Sequence, residues 1–223
     1  RRTGKGWHMR LVAAEAYPEP WPTIAHDVEL SPSVIKILSG AIDVIANRGA
    51  RRLSMSDIIG TSGVSRGTLY RYFSNKDEVL AAVSEFVCTG FENGIRDSGQ
   101  GIADPIERFK AVMQFYARYT SENSPDRVFE VEPGFHLAFF RSRFGRYKIA
   151  VRDALDPVFD YLEKLVGGAF NRDAFVETLV RMQLSTLLVP ASDEWLQMWN
   201  DTAENVQKWA LKIAQEQKDV GKD

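Results

Sequence analysis

The sequence predicts an all-α protein: a three-helix helix-turn-helix module near the N-terminus, followed by a larger helical body. Three observations predict it. Apolar residues recur at three- and four-residue spacing in one segment after another. Ser, Asn and Gly stand where those segments would start and stop as helices. Alternating polar/apolar runs bounded by hairpin dipeptides are missing.

Residues 1–30 mix Arg1, Arg2, Lys5 and Arg10 with Pro18, Pro20 and Pro22, show no helical period, and read as an N-terminal arm. Ser31-Pro32 is a helix start, a capping side chain followed by a proline whose missing N–H costs nothing at the first position. Ile35, Leu38, Ile42 and Ile45 then form a stripe and Gly49 stops it, which gives a helix over 32–48. Ser54 caps a second helix that carries Ile58 and Ile59, with Asp57 near its positive end, and Gly63 ends it. Ser65 caps a third helix of about two turns, on which Leu69 and Phe73 share one face while Gly67 and Arg71 lie opposite. Asn75 with Glu78 three residues on opens a long helix through Val79, Val83, Phe86 and Val87.

Further helices are predicted over 103–122, 126–132, 135–143, 146–167, 172–188 and 193–216. Ser124-Pro125, Pro133-Gly134, Gly145, Gly167-Gly168 and Pro190 divide them. Pro157 either kinks its helix or marks a new first turn.

Length and composition allow this plan. The chain has 223 residues and 44% hydrophobic content, enough for a small domain joined to a larger one. No apolar run approaches the roughly 20 residues of a membrane helix, and the opening stretch lacks the apolar centre of a signal peptide, so a cytoplasmic protein is expected. Cys88 is the lone cysteine and cannot form an internal disulfide. His8, His26 and His136 are widely separated with no carboxylate at metal-like spacing, and no phosphate-cradling glycine loop occurs, so neither a metal nor a cofactor is expected. The net charge of −2 conceals an asymmetry: residues 31–76 hold seven basic side chains against two acidic ones, while 1–30 balance and 77–223 carry −7. A basic module is joined to an acidic body, the footprint of a protein that approaches a polyanion at one end.

The module carries the most specific motif. Residues 53–80, LSMSDIIGTSGVSRGTLYRYFSNKDEVL, bring together a small polar start at Ser54, Ile58-Ile59, Gly63-Val64-Ser65 at the turn, Thr68-Leu69-Tyr70, Tyr72-Phe73 and Asn75-Lys76. This pattern resembles the helix-turn-helix of the tetracycline-repressor (TetR) family. The resemblance extends to the all-α layout from about 31 to 216, where it rests on helix order. It implies a DNA-binding domain at 31–78 and an effector-binding and dimerisation domain at 79–223, and the arm at 1–30 falls outside it. It also implies a ligand-responsive regulator, released as a repressor from a palindromic operator by a small apolar effector.

The physics of groove reading agrees. A helix in the major groove can present side chains to base edges only if its other face is anchored, and Leu69 and Phe73 are that anchor. Gly67 removes a side chain where the helix would come closest to DNA, which leaves Arg66, Thr68, Tyr70 and Arg71 to probe the groove. Arg66 is the leading base reader, because a guanidinium can bond bidentately to guanine O6 and N7. By resemblance, Tyr72 and Lys76 are phosphate contacts, and the amide end of the second helix near Ser54 and Met55 holds another phosphate. With the cap Ser65, these residues make up the expected DNA-binding set.

Two other functions compete. Gly63-Val64-Ser65-Arg66-Gly67 matches the G-x-S-x-G elbow of serine hydrolases, with an acid and His136 following in order, but the elbow needs a buried strand to deliver the serine. A polar helix is predicted there instead, so no catalytic residue is assigned. A helical protein-binding co-regulator is the other alternative; Arg66, Arg71 and Lys76 together argue for retained DNA binding.

The body is rich in aromatic residues. By resemblance its middle helices hold the effector, with Phe109, Phe115, Tyr116, Tyr119, Phe135, His136, Phe139, Phe140 and Tyr161 as lining candidates and Glu130, His136 or Arg143 to orient it. The last two helices carry apolar residues on more than one stripe, and a helix of that kind must bury both. Val176, Val180, Leu184 and Leu188 on one, with Trp195, Trp199 and Val206 on the other, are the expected homodimer contacts, paired as a four-helix interface as in the family; the alternative is that both stripes are filled within one chain.

Overall fold

A computed structural model describes residues 30–123, 128–186, 188–189 and 192–220, and every regular element among them is helical. The arm at 1–29, with His8 and His26, and the breakers Ser124-Pro125 and Pro190 lie outside the described residues. None of the described helices is long and apolar enough to cross a membrane, and no group of His, Cys, Asp and Glu among the described residues could hold a metal ion.

The cap signals of the module form the helices they predict. Helix α1 spans Pro32–Arg48, with Ser31 Oγ accepting from the Val34 N–H, and it ends at Gly49, whose φ of 86° requires glycine. A 3-10 turn at Ala50–Arg52 leads to α2, Met55–Ser62, where Ser54 Oγ accepts from the Asp57 N–H at 3.2 Å. Helix α3, Arg66–Tyr72, starts with Ser65 Oγ accepting from the Thr68 N–H at 3.1 Å. Helix α4, Lys76–Gly99, is capped by Asn75, while Glu78 reaches back to the Ser74 N–H at 2.7 Å.

One stripe is rotated. The buried residues of α1 are Val34, Ile37, Leu38, Ala41, Val44 and Ile45, whereas Ile35 is exposed and Ile42 half-buried. Apolar residues of α1 occupy two overlapping stripes, and α2 selects between them by packing on the side where Gly40 has no side chain. A Cβ at Gly40 would lie 2.8 Å from the Ser62 nitrogen and 2.9 Å from Thr61 Oγ1, which itself donates to the Gly40 carbonyl. Gly40→Ala must push two helix backbones apart and is expected to destabilise the module by about 1–3 kcal/mol. Gly60→Ala, where a Cβ meets nothing within 4 Å, should be neutral or stabilising by roughly 0.5–1 kcal/mol. Denaturant unfolding of the two variants compares them directly.

The body consists of α5 (Pro105–Asn123), α6 (Val128–Val131), α7 (Pro133–Val166), α8 (Arg172–Ser185) and α9 (Asp193–Val220). Instead of the two helices expected at 135–143 and 146–167, α7 runs unbroken through Gly145 and Pro157. A helical glycine costs only about 1 kcal/mol, and the turns beside it are held down. Phe139, Tyr147 and Val151 are buried, and the Arg146 guanidinium bonds to Glu92 and Glu85 on α4 at 2.6–2.8 Å. Helix α8 ends short of the expected 188 and α9 extends past 216.

Two apolar cores result, and α4 runs through both. Its early residues Val79, Ala82 and Val83 close the core of α1–α3, and Cys88, Phe91 and Ile95 enter the core of the body. Leu80, Val87 and Phe135 of α7 touch both.

Candidate nucleic-acid interface

The basic face of the module is built on a helix too short to be stable alone. Leu69 (0% exposed) and Phe73 (2%) pin α3 to the core, which leaves Arg66, Gly67, Tyr70 and Arg71 exposed and Thr68 half-buried. The Arg66 guanidinium lies 5.4 Å from the Tyr70 ring centroid and Arg71 lies 4.9 Å from that of Tyr72, so both arginines are oriented by stacking. Tyr72 is half-buried, and its hydroxyl also receives bonds from Arg71 Nη2 at 3.4 Å and from Ser31 Oγ at 3.3 Å. Lys76 opens α4, exposed Ser54 caps α2, and half-buried Met55 packs on the module core.

Two features separate this face from an ordinary solvated surface. A Cβ at Gly67 would meet only Ser65 Oγ, at 4.0 Å, so nothing inside the protein requires glycine there. The space it leaves open faces outward. In addition, two other arginines of the module are paired, Arg48 with Asp57 at 2.9 Å and Arg51 with Glu132 at 3.0 Å, while Arg52 is exposed. Among the described residues no acidic group pairs with Arg66 or Arg71. Ser65 is occupied as a helix cap, follows a helix rather than a strand, and shares its hydroxyl with Thr68 Oγ1 at 2.8 Å. The strand-to-turn geometry of a hydrolase elbow is not built here.

The aromatic residues of the body do not line one space. Phe91 on α4 is the hub: its ring centroid lies 6.1 Å from Phe115, 5.9 Å from Tyr116, 5.1 Å from Tyr119 and 5.0 Å from Tyr147. Phe139 and Phe140 join it through Tyr147, whereas Phe109 packs with Phe175. The Tyr161 hydroxyl accepts from Gln207 on α9 at 3.5 Å, and Phe135 and His136 sit against each other at the start of α7. Burial pushes the Tyr119 phenol up to about 12 and the Tyr116 and Tyr147 phenols higher still. Burial also pushes the His136 imidazole down to about 4, against the opposing pull of the Glu132 carboxylate, so it is neutral near pH 7. Arg143 Nε donates to the buried Ser84 hydroxyl at 3.2 Å, and Glu130 is exposed.

Phe91 and Tyr147 are absent from the expected lining set. The signal for Phe91 was available: it continues the Val83, Val87 stripe of α4 at four-residue spacing. Gly94 makes room for its partner ring, because a Cβ there would lie 2.5 Å from the Phe115 ring that packs on Phe91.

The expected dimer contacts divide as well. Val176 (2% exposed), Val180 (1%) and Trp199 (1%) are buried in the core of a single chain, which leaves them no surface for a second copy. Leu184, Trp195 and Val206 are half-buried against that core, and Leu188 is 66% exposed. Trp209 and Leu211 of α9, outside the expected set, are also exposed.

Comparison with known proteins agrees with this geometry. Residues 37–83 match the family model for bacterial regulatory proteins of the tetR family. The chain is 43% identical over 54 residues to the uncharacterised HTH-type transcriptional regulator YvdT of Bacillus subtilis, a match that covers 24% of this chain and 28% of that protein. It is 23% identical over 167 residues, 72% of this chain and 71% of the relative, to the HTH-type transcriptional activator FasR of Mycolicibacterium smegmatis. Among solved structures, AibR in complex with isovaleryl coenzyme A and operator DNA has the same fold, with a TM-score of 0.54 at 20% identity over 76% of this chain and 95% of that one.

Proposed function

We propose that this chain, whose residues 37–83 match the family model for bacterial regulatory proteins of the tetR family, is a dimeric, ligand-responsive transcriptional regulator that reads a palindromic operator through α3. It acts by binding rather than catalysis, and in the cytoplasm. The observation that carries the reading is the outward face of α3: two stacked, acid-free arginines flanking a glycine that the fold does not need. Arg66 reads guanine in the major groove, with Thr68, Tyr70 and Arg71 beside it. Tyr72, Lys76 and the α2 amide end at Ser54 and Met55 hold phosphates and fix register. A second copy docks on exposed apolar residues of the last two helices and their connection, Leu188 after α8 and Trp209 on α9 among them.

The effector is a small apolar molecule. An acyl group suits the ring-lined body, and AibR, of the same fold, was solved with an acyl coenzyme A. The rings that interlock around Phe91 must part to admit it, so binding favours a different arrangement of α4, α5 and α7. Helix α4 passes that change to the module and releases the operator. Whether release raises or lowers transcription depends on where the operator lies relative to the promoter.

Arg66→Ala is expected to relax sequence choice by about 1–3 kcal/mol at one base pair of each half-site. Lys76→Ala should weaken all sequences alike and reduce the salt slope by about one. Binding isotherms on specific and random duplexes over a salt series separate the two. Equal losses on both duplexes from Arg66→Ala would remove it as a reader.

A further inference from the structure

We infer that Glu132 is a positioning residue, a carboxylate clamp through which the body holds the turn that leads into the DNA-reading helices; this inference rests on the regulatory reading above. Glu132 precedes Pro133 at the corner between α6 and α7. Across 81 residues of sequence its Oε2 accepts from the Arg51 backbone N–H at 3.2 Å, while Oε1 lies 3.0 Å from Arg51 Nε. One carboxylate therefore holds the main chain of the 3-10 turn between α1 and α2, with the largely exposed Arg51 guanidinium laid over it.

Three further observations fit a clamp. Glu132 stands at the N-cap of α7 but makes no side-chain cap bond there; the group that would serve its own helix reaches across to another domain instead. Gly49, beside the turn, lets the carboxylate come close: a Cβ there would lie 2.7 Å from Glu132 Oε2 and would displace it. Behind the carboxylate, Phe135 packs on both apolar cores, so the corner cannot shift without disturbing one of them.

The held turn is adjacent to the Ser54 cap that opens α2. A body that withdraws the α6–α7 corner would free Arg51 and loosen the start of α2 without breaking any bond within the module.

The test uses the full chain with Glu132→Ala, Glu132→Gln, Arg51→Ala and the Arg51→Ala/Glu132→Ala pair. Glutamine keeps the shape and an acceptor oxygen but not the charge. Hydrogen exchange should quicken about tenfold at the Arg51 amide and through α2 in Glu132→Ala, less in Glu132→Gln, with the amides of α5 and α9 unchanged. On an operator duplex selected with the wild type, Glu132→Ala should bind about 5- to 50-fold more weakly, and the double variant should lose less than the summed single losses.

Unchanged exchange in α2, faster exchange everywhere, unchanged operator affinity or strictly additive losses would each overturn the clamp. A wild-type protein that selects no DNA sequence would instead overturn the regulatory reading, and the exchange pattern would then decide the clamp by itself.

Discussion

Trp199→Ala is expected to destabilise the body by about 3–5 kcal/mol rather than to yield a folded monomer. Trp199 is 1% exposed within one chain, and its ring meets Tyr116 at 5.6 Å and Trp195 at 6.2 Å, edge to face. Truncation leaves a cavity between α5 and α9 that rigid neighbouring rings cannot fill. The indole N–H has no hydrogen-bond partner among the described residues, so Trp199→Phe, which removes a buried unsatisfied donor along with some volume, should cost much less than alanine. Denaturant unfolding with sedimentation distinguishes the outcomes. A stable, folded monomer from Trp199→Ala would show that the residue faces a second copy after all.

Leu69→Ala is expected to abolish operator binding while the body keeps its helices. The side chain is fully buried, and its loss costs about 2–5 kcal/mol. That cost falls on a small module whose reading helix, Arg66–Tyr72, has no stability of its own. Arg66 and Arg71 would remain present but unanchored. Operator titration together with hydrogen exchange checks this: protection should vanish in α2 and α3 and persist in α5 and α7. Wild-type operator affinity from Leu69→Ala would mean that α3 is not the reading element.

The module was largely legible in the sequence because its signals are local. Ser31, Ser54, Ser65 and Asn75 each cap the helix they precede, with the bond partner two or three residues away. What failed to be legible depends on partners distant in sequence. The apolar stripe of α1 could face either of two ways, and Gly40 decides it only through contact with Ser62. Gly145 reads as a break until Arg146 is seen bonded to Glu85 and Glu92.

The same limit governs the body. An aromatic or apolar residue at helical spacing is equally a core residue, a pocket lining or an interface contact until its neighbours are known. Val176, Val180 and Trp199 turned inward for that reason. Phe91 became the hub of the ring cluster because α4, which begins in one apolar core, ends in the other.

On the proposed function, the exposed face of α3 reads a specific DNA sequence. The most direct test is selection of bound fragments from random DNA by the wild-type protein, with Arg66→Ala in parallel. The expected product is a palindrome whose half-sites are centred about one helical turn, roughly 34 to 36 Å, apart. Arg66→Ala should select the same palindrome with one base pair of each half-site left open. Recovery of fragments without any common sequence, bound in proportion to length and lost uniformly with salt, would contradict the claim.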